Sequence, residues 1–216
     1  MVKVVLIDNY DSFTYNIASL IFRLLESKKE KIIKKTDKKK LTICSEKVTI
    51  DIYYNDCNMN INYISNYDII VISSGPYSPK QAGMSLKIAE KIIGQKPILG
   101  ICLGHQVIAT ILGFSTRQSN HIIHADNVSI THFGLPFWQD IPNKIQVTRY
   151  NSLVVSTTSA TLKHYISSIS ETNEIMSIES VKEKFLGVQF HPDSFLASVY
   201  SKKLIKNFLY FMIKSV

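Results

Sequence analysis

The sequence predicts a single α/β domain, residues 1–216, with a mostly parallel central sheet, helices on both faces of that sheet and a smaller β-rich portion. Up to Leu112, apolar stretches typical of buried strands alternate with stretches at helical spacing, which is the rhythm of parallel strands joined by helices. After about Asn127, candidate strands become more frequent. With 216 residues, 45% of them hydrophobic, the chain is long enough for one domain with a sizeable core.

The first half supplies the elements of the parallel sheet. Val2–Asp8 is rich in β-branched residues, as buried strands are. Leucine and isoleucine at helical spacing then predict a helix over about Phe13–Glu26. Further strands are predicted over Val48–Tyr54, Tyr67–Ser73 and Pro97–Ile101, and helices over about Ala82–Ile93 and Gly104–Leu112. The second half adds strands over Lys144–Arg149, Glu174–Ile178 and Phe185–Phe190, and an amphipathic helix over Lys202–Ile213.

A lysine-rich segment, about residues 27–47, interrupts this pattern. From Ser27 to Lys40, eight lysines stand against Glu30 and Asp37, which puts +6 of the chain's net charge of +8 in this window. The run has no aromatic side chain to stack on bases and no arginine. We therefore interpret it as a solvated, mobile insertion and expect no nucleic-acid partner; an electrostatic docking patch is the alternative.

The cysteines and apolar stretches bear on the compartment. The three cysteines, Cys44, Cys57 and Cys102, are odd in number and irregularly spaced, which predicts neither a disulfide framework nor a C-x-x-C metal site. A reducing compartment is the simpler expectation. No signal peptide is apparent, and the apolar stretches fall far below the roughly 20 residues of a membrane span. We expect a cytoplasmic or organelle-stroma protein without a membrane partner, a metal site or a cofactor in this chain.

The stretch Gly100-Ile101-Cys102-Leu103-Gly104 joins a predicted strand to a predicted helix. Gly-x-Cys-x-Gly at such a junction is the cysteine form of the nucleophile elbow, in which a tight turn exposes the thiol at the carboxyl edge of the sheet. The helix N-terminus favours a thiolate, and the N–H of Leu103 would point toward a developing oxyanion. On the motif alone, Cys102 could also be a small buried hydrophobic residue, which is the role we expect for Cys44 and Cys57.

His191 is the candidate base for this nucleophile. It ends the apolar strand Phe185–Phe190, and Asp193 follows two residues later. A histidine at a strand end lies on the rim of the sheet, where an elbow cysteine also lies, and Asp193 could orient and stabilise its imidazolium. The alternative is an ordinary surface or core histidine. His105 is too close to Cys102 in the same turn and is expected to pack inside the fold.

Four stretches carry a family resemblance. Gly-Ile-Cys-Leu-Gly-His-Gln from Gly100 and His-Pro-Asp-Ser from His191 resemble the class I (triad) glutamine amidotransferases. Leu6–Asn16, Leu-Ile-Asp-Asn-Tyr-Asp-Ser-Phe-Thr-Tyr-Asn, and Thr148–Val154 resemble the small subunits (component II) of anthranilate synthase and aminodeoxychorismate synthase. The likeness runs from Val2 to about Phe211, apart from the lysine-rich insertion. It implies the flavodoxin-like fold of the class I amidotransferases.

The resemblance implies a glutaminase with a Cys-His-Asp/Glu triad. Cys102 would attack the carboxamide of glutamine, His191 would move the proton, and hydrolysis of a γ-glutamyl thioester would release glutamate. The N–H groups of Leu103 and Gly75 would stabilise the oxyanion. The amino-acid end of glutamine would be held by Gln106, Ser152 and Leu153. For Gly75 the alternative is a turn glycine with positive φ, and for Ser152 and Leu153 it is packing at a strand edge.

The resemblance also implies a partner. Ammonia would pass to the chorismate-binding large subunit of a synthase, in tryptophan or folate biosynthesis, and that subunit would supply any Mg²⁺. The N-terminal signature would lie near this subunit, with Tyr10, Ser12, Phe13 and Thr14 as interface candidates. The alternative is a loop that starts a helix, with Asp11 or Ser12 as an ordinary N-cap.

The sequence departs from the family pattern in four places. Asp193 stands where glutamate is usual, so its reach to the imidazole is shortened, and we expect reduced rather than abolished activity. Asn151 replaces a histidine, which could weaken partner coupling or substrate positioning. Ala125 stands at a common glycine position after His124. Around Gly75-Pro76, Ser74 and Tyr77 replace a common proline and glycine, and Tyr77 could line or crowd the glutamine entrance.

These departures leave two other functions open. One is a binding or regulatory subunit whose catalysis has decayed. The other is a different class I amidotransferase or a γ-glutamyl hydrolase on the same architecture, although Asp8–Asn16 argues against it.

Overall fold

The computed structural model describes residues 1–26, 32–37, 40–122 and 124–214. Thirteen strands and four α-helices lie in this part of the chain. The strands are β1 Val2–Asp8, β2 Ile32–Asp37, β3 Lys40–Cys44, β4 Val48–Tyr54, β5 Ile69–Ile72, β6 Ile98–Ile101, β7 Ser115–Gln118, β8 Asp126–His132, β9 Lys144–Arg149, β10 Leu153–Ser156, β11 Ile166–Ser170, β12 Ile175–Ser180 and β13 Phe185–Val188. The helices are α1 Thr14–Leu25, α2 Met84–Ile92, α3 Leu103–Leu112 and α4 Val199–Lys214.

Eleven of the described strands form one sheet, in the order β2-β3-β4-β1-β5-β6-β13-β12-β11-β8-β9. The five central strands, from β4 to β13, pair in parallel. The strands on both sides of this centre are antiparallel, and those from β12 to β9 constitute the predicted β-rich portion. The predicted class, a central parallel sheet within a single α/β fold, is confirmed.

Helices cover both faces of the parallel centre. Alternate residues of β1 show the arrangement: Val4 and Leu6 belong to the core cluster that contains α1 and α4, whereas Val5 and Ile7 belong to the cluster that contains α2 and α3. Strands β1, β5 and β6 are therefore apolar on both faces and lack an alternating polar pattern, whereas β4 alternates in part. Of the described helices, none is long and apolar enough to cross a bilayer.

The lysine-rich segment contains two strands of the sheet, which its charge did not predict. β2 pairs antiparallel with β3, and β3 pairs antiparallel with β4. Ile43 of β3 is buried in the core, so part of the segment contributes to packing. The prediction of a solvated, mobile insertion is therefore wrong for the β3 portion, while residues 27–31 and 38–39 lie outside the described residues.

Glu179 on β12 gives the fold a pH dependence. Its side chain is buried, and the N–H of Phe137 donates to it at 3.3 Å. Burial raises the pKa of Glu179 to about 7, from an ordinary value of 4.5. The folded state therefore favours the neutral carboxyl. The contribution of Glu179 to the free energy of unfolding is fully present below pH 4.5 and is lost as the pH rises through 7.

The change Glu179→Gln is expected to remove this pH dependence. The cost of ionising the buried carboxyl is roughly 3 kcal/mol, so at pH 8 the variant should be the more stable protein by an amount of that order. The measurement is the free energy of unfolding in urea at several pH values between 4.5 and 8. Other titrating groups cancel in the difference between the two proteins, and a difference that stays constant with pH would contradict the expectation.

Candidate active site

Cys102 occupies a strained turn between β6 and α3. Its backbone has φ 51° and ψ −98°, a region that costs a non-glycine residue about 1–2 kcal/mol. A Cβ at Gly100 would lie 2.4 Å from the carbonyl of Gly104, and one at Gly104 would lie 2.3 Å from the carbonyl oxygen of Ile72. The two glycines of the motif therefore allow the strand, the turn and the helix to approach one another closely.

The sheet topology brings His191 to Cys102 across 89 positions of sequence. β6 and β13 are neighbouring parallel strands, with Gly100 opposite Gly187, so their carboxyl ends meet at the same edge. The N–H of Cys102 donates to the carbonyl of Val188 at 2.8 Å, and His191 follows three residues later. Cysteine and histidine are therefore held on one rim by the ladder of the sheet.

The charge state of His191 depends on both of its proposed partners. Burial lowers the pKa of His191, but the nearby Asp193 carboxylate and the Cys102 sulfur outweigh burial and raise it to about 10. The imidazole is therefore protonated at neutral pH beside the sulfur. An imidazolium next to a thiolate is the arrangement that activates cysteine nucleophiles.

Asp193 lies close to the imidazole but does not reach it fully. Its Oδ1 lies 3.5 Å from Nδ1 of His191, and both side chains are almost completely buried. This separation is longer than the usual N–H···O distance of about 2.9 Å, as expected from the shorter side chain.

The change Asp193→Glu is therefore expected to raise glutamine turnover by roughly two- to tenfold, the effect of one better-formed hydrogen bond. Glutamate release at saturating glutamine measures it, and Asp193→Asn, which removes the charge, should act in the opposite direction. Lower turnover in a fully folded Asp193→Glu protein would contradict the prediction.

Two aromatic rings enclose the imidazole. The ring centroids of Tyr150 and Phe13 lie 4.9 and 5.7 Å from that of His191, both in edge-on geometry. The hydroxyl of Tyr150 lies 3.1 Å from Oγ of Ser194, which fixes this ring next to the His191 segment. Phe13 thus belongs to the wall of the site.

A pocket of about 210 Å³ opens in front of the sulfur. All five predicted oxyanion and substrate residues line it, together with Cys102, Tyr77 and Tyr150: Gly75, Leu103, Gln106, Ser152 and Leu153. Gly75 is not a positive-φ turn glycine. The glycines with positive φ in the described chain are Gly83, Gly94, Gly113 and Gly134. Instead, a Cβ here would lie 2.5 Å from Cβ of Asn9 and 3.1 Å from Leu103, so glycine allows this loop to lie against both neighbours.

The carbonyl of Leu153 is held by two side-chain amides. Gln106 Nε2 donates to it at 3.1 Å and Asn151 Nδ2 at 2.9 Å, while Asn151 Oδ1 accepts from Arg149 at 3.0 Å. Asn151 therefore fixes the Ser152–Leu153 wall of the pocket, which accounts structurally for this departure. A role of Gln106 in binding the amino-acid end of glutamine remains a prediction, since its Nε2 donates within the protein.

The N-terminal signature divides into exposed and buried residues. Tyr10 is 56% exposed and stacks on Tyr54, and Ser12 is exposed, so both are available to a partner. Thr14 corrects the prediction, because it is completely buried and its hydroxyl donates to Asp8 at 2.6 Å. The residue before α1 is Phe13, without a side-chain cap, so neither Asp11 nor Ser12 is the N-cap.

Both glycine departures keep a left-handed backbone. Tyr77 has φ 72° and Ala125 has φ 58°, conformations that favour glycine. Tyr77 is 75% exposed and lines the pocket, so it contributes to the entrance. At Ser74, which stands at the common proline position, the hydroxyl donates to Asp11.

Three residues of the site were not singled out from the sequence: Asn9, Tyr150 and Gln189. Asn9 is buried, donates to the carbonyl of Ser73 and packs against Gly75. Gln189 donates to Sγ of Cys102 at 3.4 Å and is fully buried. A polar residue inside the apolar run Phe185–Phe190 was the available signal, since buried polar groups need partners.

His105 packs inside the fold, as predicted. It is completely buried, and desolvation lowers its pKa to about 3, so it stays neutral. Within the described residues, no group of three or more histidine, cysteine or acidic side chains could hold a metal ion.

The sequence matches the family described as Glutamine amidotransferase class-I over residues 5–212. It is 34% identical over 206 residues to Aminodeoxychorismate/anthranilate synthase component 2 of Bacillus subtilis (strain 168), covering 95% of each chain. It is 36% identical over 207 residues to Aminodeoxychorismate synthase component 2 of Escherichia coli (strain K12), covering 96% of this chain and 99% of the other. A solved glutamine amidotransferase from Thermotoga maritima shares the fold, with a TM-score of 0.74 at 16% identity over 99% and 98% of the two chains. The protein therefore belongs to the class-I glutamine amidotransferase family.

Proposed function

We propose that this chain is a glutaminase that forms a thioester at Cys102 and supplies ammonia to a chorismate-using synthase. The observation that carries the proposal is the buried His191, protonated beside the sulfur, with the pocket of Gly75, Leu103 and Ser152 in front of it. The relatives named above as component 2 of such synthases support the choice of partner.

Each step of the reaction has a residue that carries it out. The thiolate of Cys102 attacks the carboxamide carbon of glutamine, and the oxyanion is stabilised by the N–H groups of Leu103 and Gly75. Leu103 is the first residue of α3, where a helix leaves its N–H without an intrahelical acceptor. Each such donor typically contributes about 2.7–4 kcal/mol to lowering the barrier.

His191 then gives its proton to the departing nitrogen, so that ammonia leaves and the thioester remains. The neutral imidazole takes a proton from water, whose oxygen attacks the thioester carbon, and the sulfur leaves as thiolate. Glutamate and ammonia are the products, and the imidazolium–thiolate pair is restored. Asp193 stabilises the ring in each state in which it is protonated.

The partner surface is proposed to include Tyr10, Ser12 and the exposed edge of Phe13. Phe13 touches His191 on one side and is half-buried, so a partner bound at this loop would lie one side chain away from the base. The buried Thr14 holds this loop in place, because its hydroxyl donates a hydrogen bond to Asp8.

Two experiments test the proposal. A glutamine-analogue electrophile should label Cys102 stoichiometrically, whereas a decayed regulatory subunit would give no adduct. The protein is then mixed separately with an anthranilate synthase and an aminodeoxychorismate synthase large subunit, chorismate and glutamine, and the aromatic product is identified. Labelling at Cys102 without product from either mixture would reject the chorismate partner and favour another amidotransferase or hydrolase.

A further inference from the structure

Gln189 contacts the reacting sulfur through a chain of side-chain amides. Its Nε2 lies 3.4 Å from Sγ of Cys102, and its Oε1 accepts from Nε2 of Gln106 at 3.0 Å. The same Nε2 of Gln106 donates to the carbonyl of Leu153 at 3.1 Å. The Gln189 backbone is held as well, since its N–H donates to the carbonyl of Met176 at 2.8 Å.

These linked hydrogen bonds allow one orientation of the Gln189 amide. The Leu153 carbonyl can only accept a hydrogen bond, so Gln106 must present its NH₂ group there. The second hydrogen of that NH₂ points to Gln189, which must therefore accept it with its side-chain oxygen. The NH₂ group of Gln189 is thereby directed at the sulfur, and a rotation of either amide would set two donors or two acceptors against each other.

We propose that Gln189 is a catalytic residue that donates a hydrogen bond to the Cys102 thiolate, in an orientation fixed by Gln106 and Leu153. The sulfur then has two donors, the charged imidazolium of His191 and a neutral amide. Hydrogen bonds to an ionised acceptor are stronger than those to a neutral one, so the amide favours the thiolate over the thiol. This role rests on the proposed nucleophile but requires no particular substrate.

The test is the pH profile of alkylation of the whole protein by iodoacetamide, with modification of Cys102 followed by peptide mass spectrometry. Alkylation reports the thiolate fraction and needs neither glutamine nor the synthase. In Gln189→Leu the midpoint of the profile should move to higher pH, with alkylation about tenfold slower at pH 6, the effect of one hydrogen bond to a charged group. In Gln189→Glu, which keeps the shape and can still accept from Gln106, a carboxylate beside the sulfur should slow alkylation further.

The control is Gln95→Glu, the same change at an exposed glutamine before the opposite end of β6, which should leave the profile unchanged. A merely structural role would alter unfolding stability but not the midpoint. If Gln189→Leu does not fold, the isosteric Gln189→Glu decides. An unchanged midpoint in folded Gln189→Glu would overturn the inference. A shifted midpoint in a protein that hydrolyses no glutamine would keep it and reject the proposed function.

Discussion

The change Cys102→Ser is expected to reduce glutamine hydrolysis by at least about 10³-fold. A serine hydroxyl stays protonated beside His191, so the strained turn would present a group that cannot attack the carboxamide efficiently. Loss of a nucleophile that acts as a unit with its base removes nearly all of their joint contribution, while the oxyanion donors leave a small residue of activity.

Glutamate release in the presence of the synthase partner measures this loss. Synthesis from added ammonia should be unchanged in the same mixture, because only the supply of ammonia depends on Cys102. Cys44→Ser is the matched control, a half-buried free cysteine on β3 away from the rim. Full glutamine turnover by Cys102→Ser would end the assignment of the nucleophile.

The change Arg149→Leu is expected to destabilise the protein by about 3–5 kcal/mol. Arg149 Nη2 lies 2.9 Å from Oε2 of Glu174, with the side chains 1% and 0% exposed. Removing the arginine leaves a buried carboxylate without its counter-charge, although Ser119 still donates to it. Asn151 also loses the donor to its Oδ1, so the Leu153 wall of the pocket should loosen and glutamine binding should weaken.

The free energy of unfolding in urea measures the stability change. The control is Lys144→Leu, which breaks an ion pair with Glu171 whose side chains are 59% and 64% exposed; the expected cost is below about 1 kcal/mol. The double change Arg149→Leu with Glu174→Leu should recover part of the stability, because no lone charge remains buried. An equal loss of unfolding free energy in Arg149→Leu and in Lys144→Leu would contradict the importance of the buried pair.

The parts of the site that could be predicted from sequence are those set by local motifs. Gly-x-Cys-x-Gly fixes a turn within five residues, and His191 at a strand end needs only the rule that parallel strands end on one rim. The pairing of Gly100 with Gly187 is what joins the two, and nothing local in either motif specifies it.

The parts that were missed depend on partners distant in sequence. Gln189 is oriented by Gln106, 83 residues away. Asn151 is held by its hydrogen bonds to the carbonyl of Leu153 and from Arg149. Thr14 was assigned to a surface because its motif resembled an interface, whereas the short polar side chain is used to hold Asp8. β2 and β3 were missed because lysine is uncommon in strands, and the pairing of β3 with β4 and of β2 with β3 outweighs that preference.

The place of β2 gives the lysine run a physical consequence. Within the described residues β2 is the outermost strand on its side of the sheet, and such a border offers backbone donors and acceptors to any other extended chain. Lys34 and Lys35 belong to β2 itself, so pairing of two copies at this border would bring like charges together. Acetylating these lysines would remove the repulsion, so self-association through strand addition should then increase with protein concentration and be reversed by restoring the positive charge.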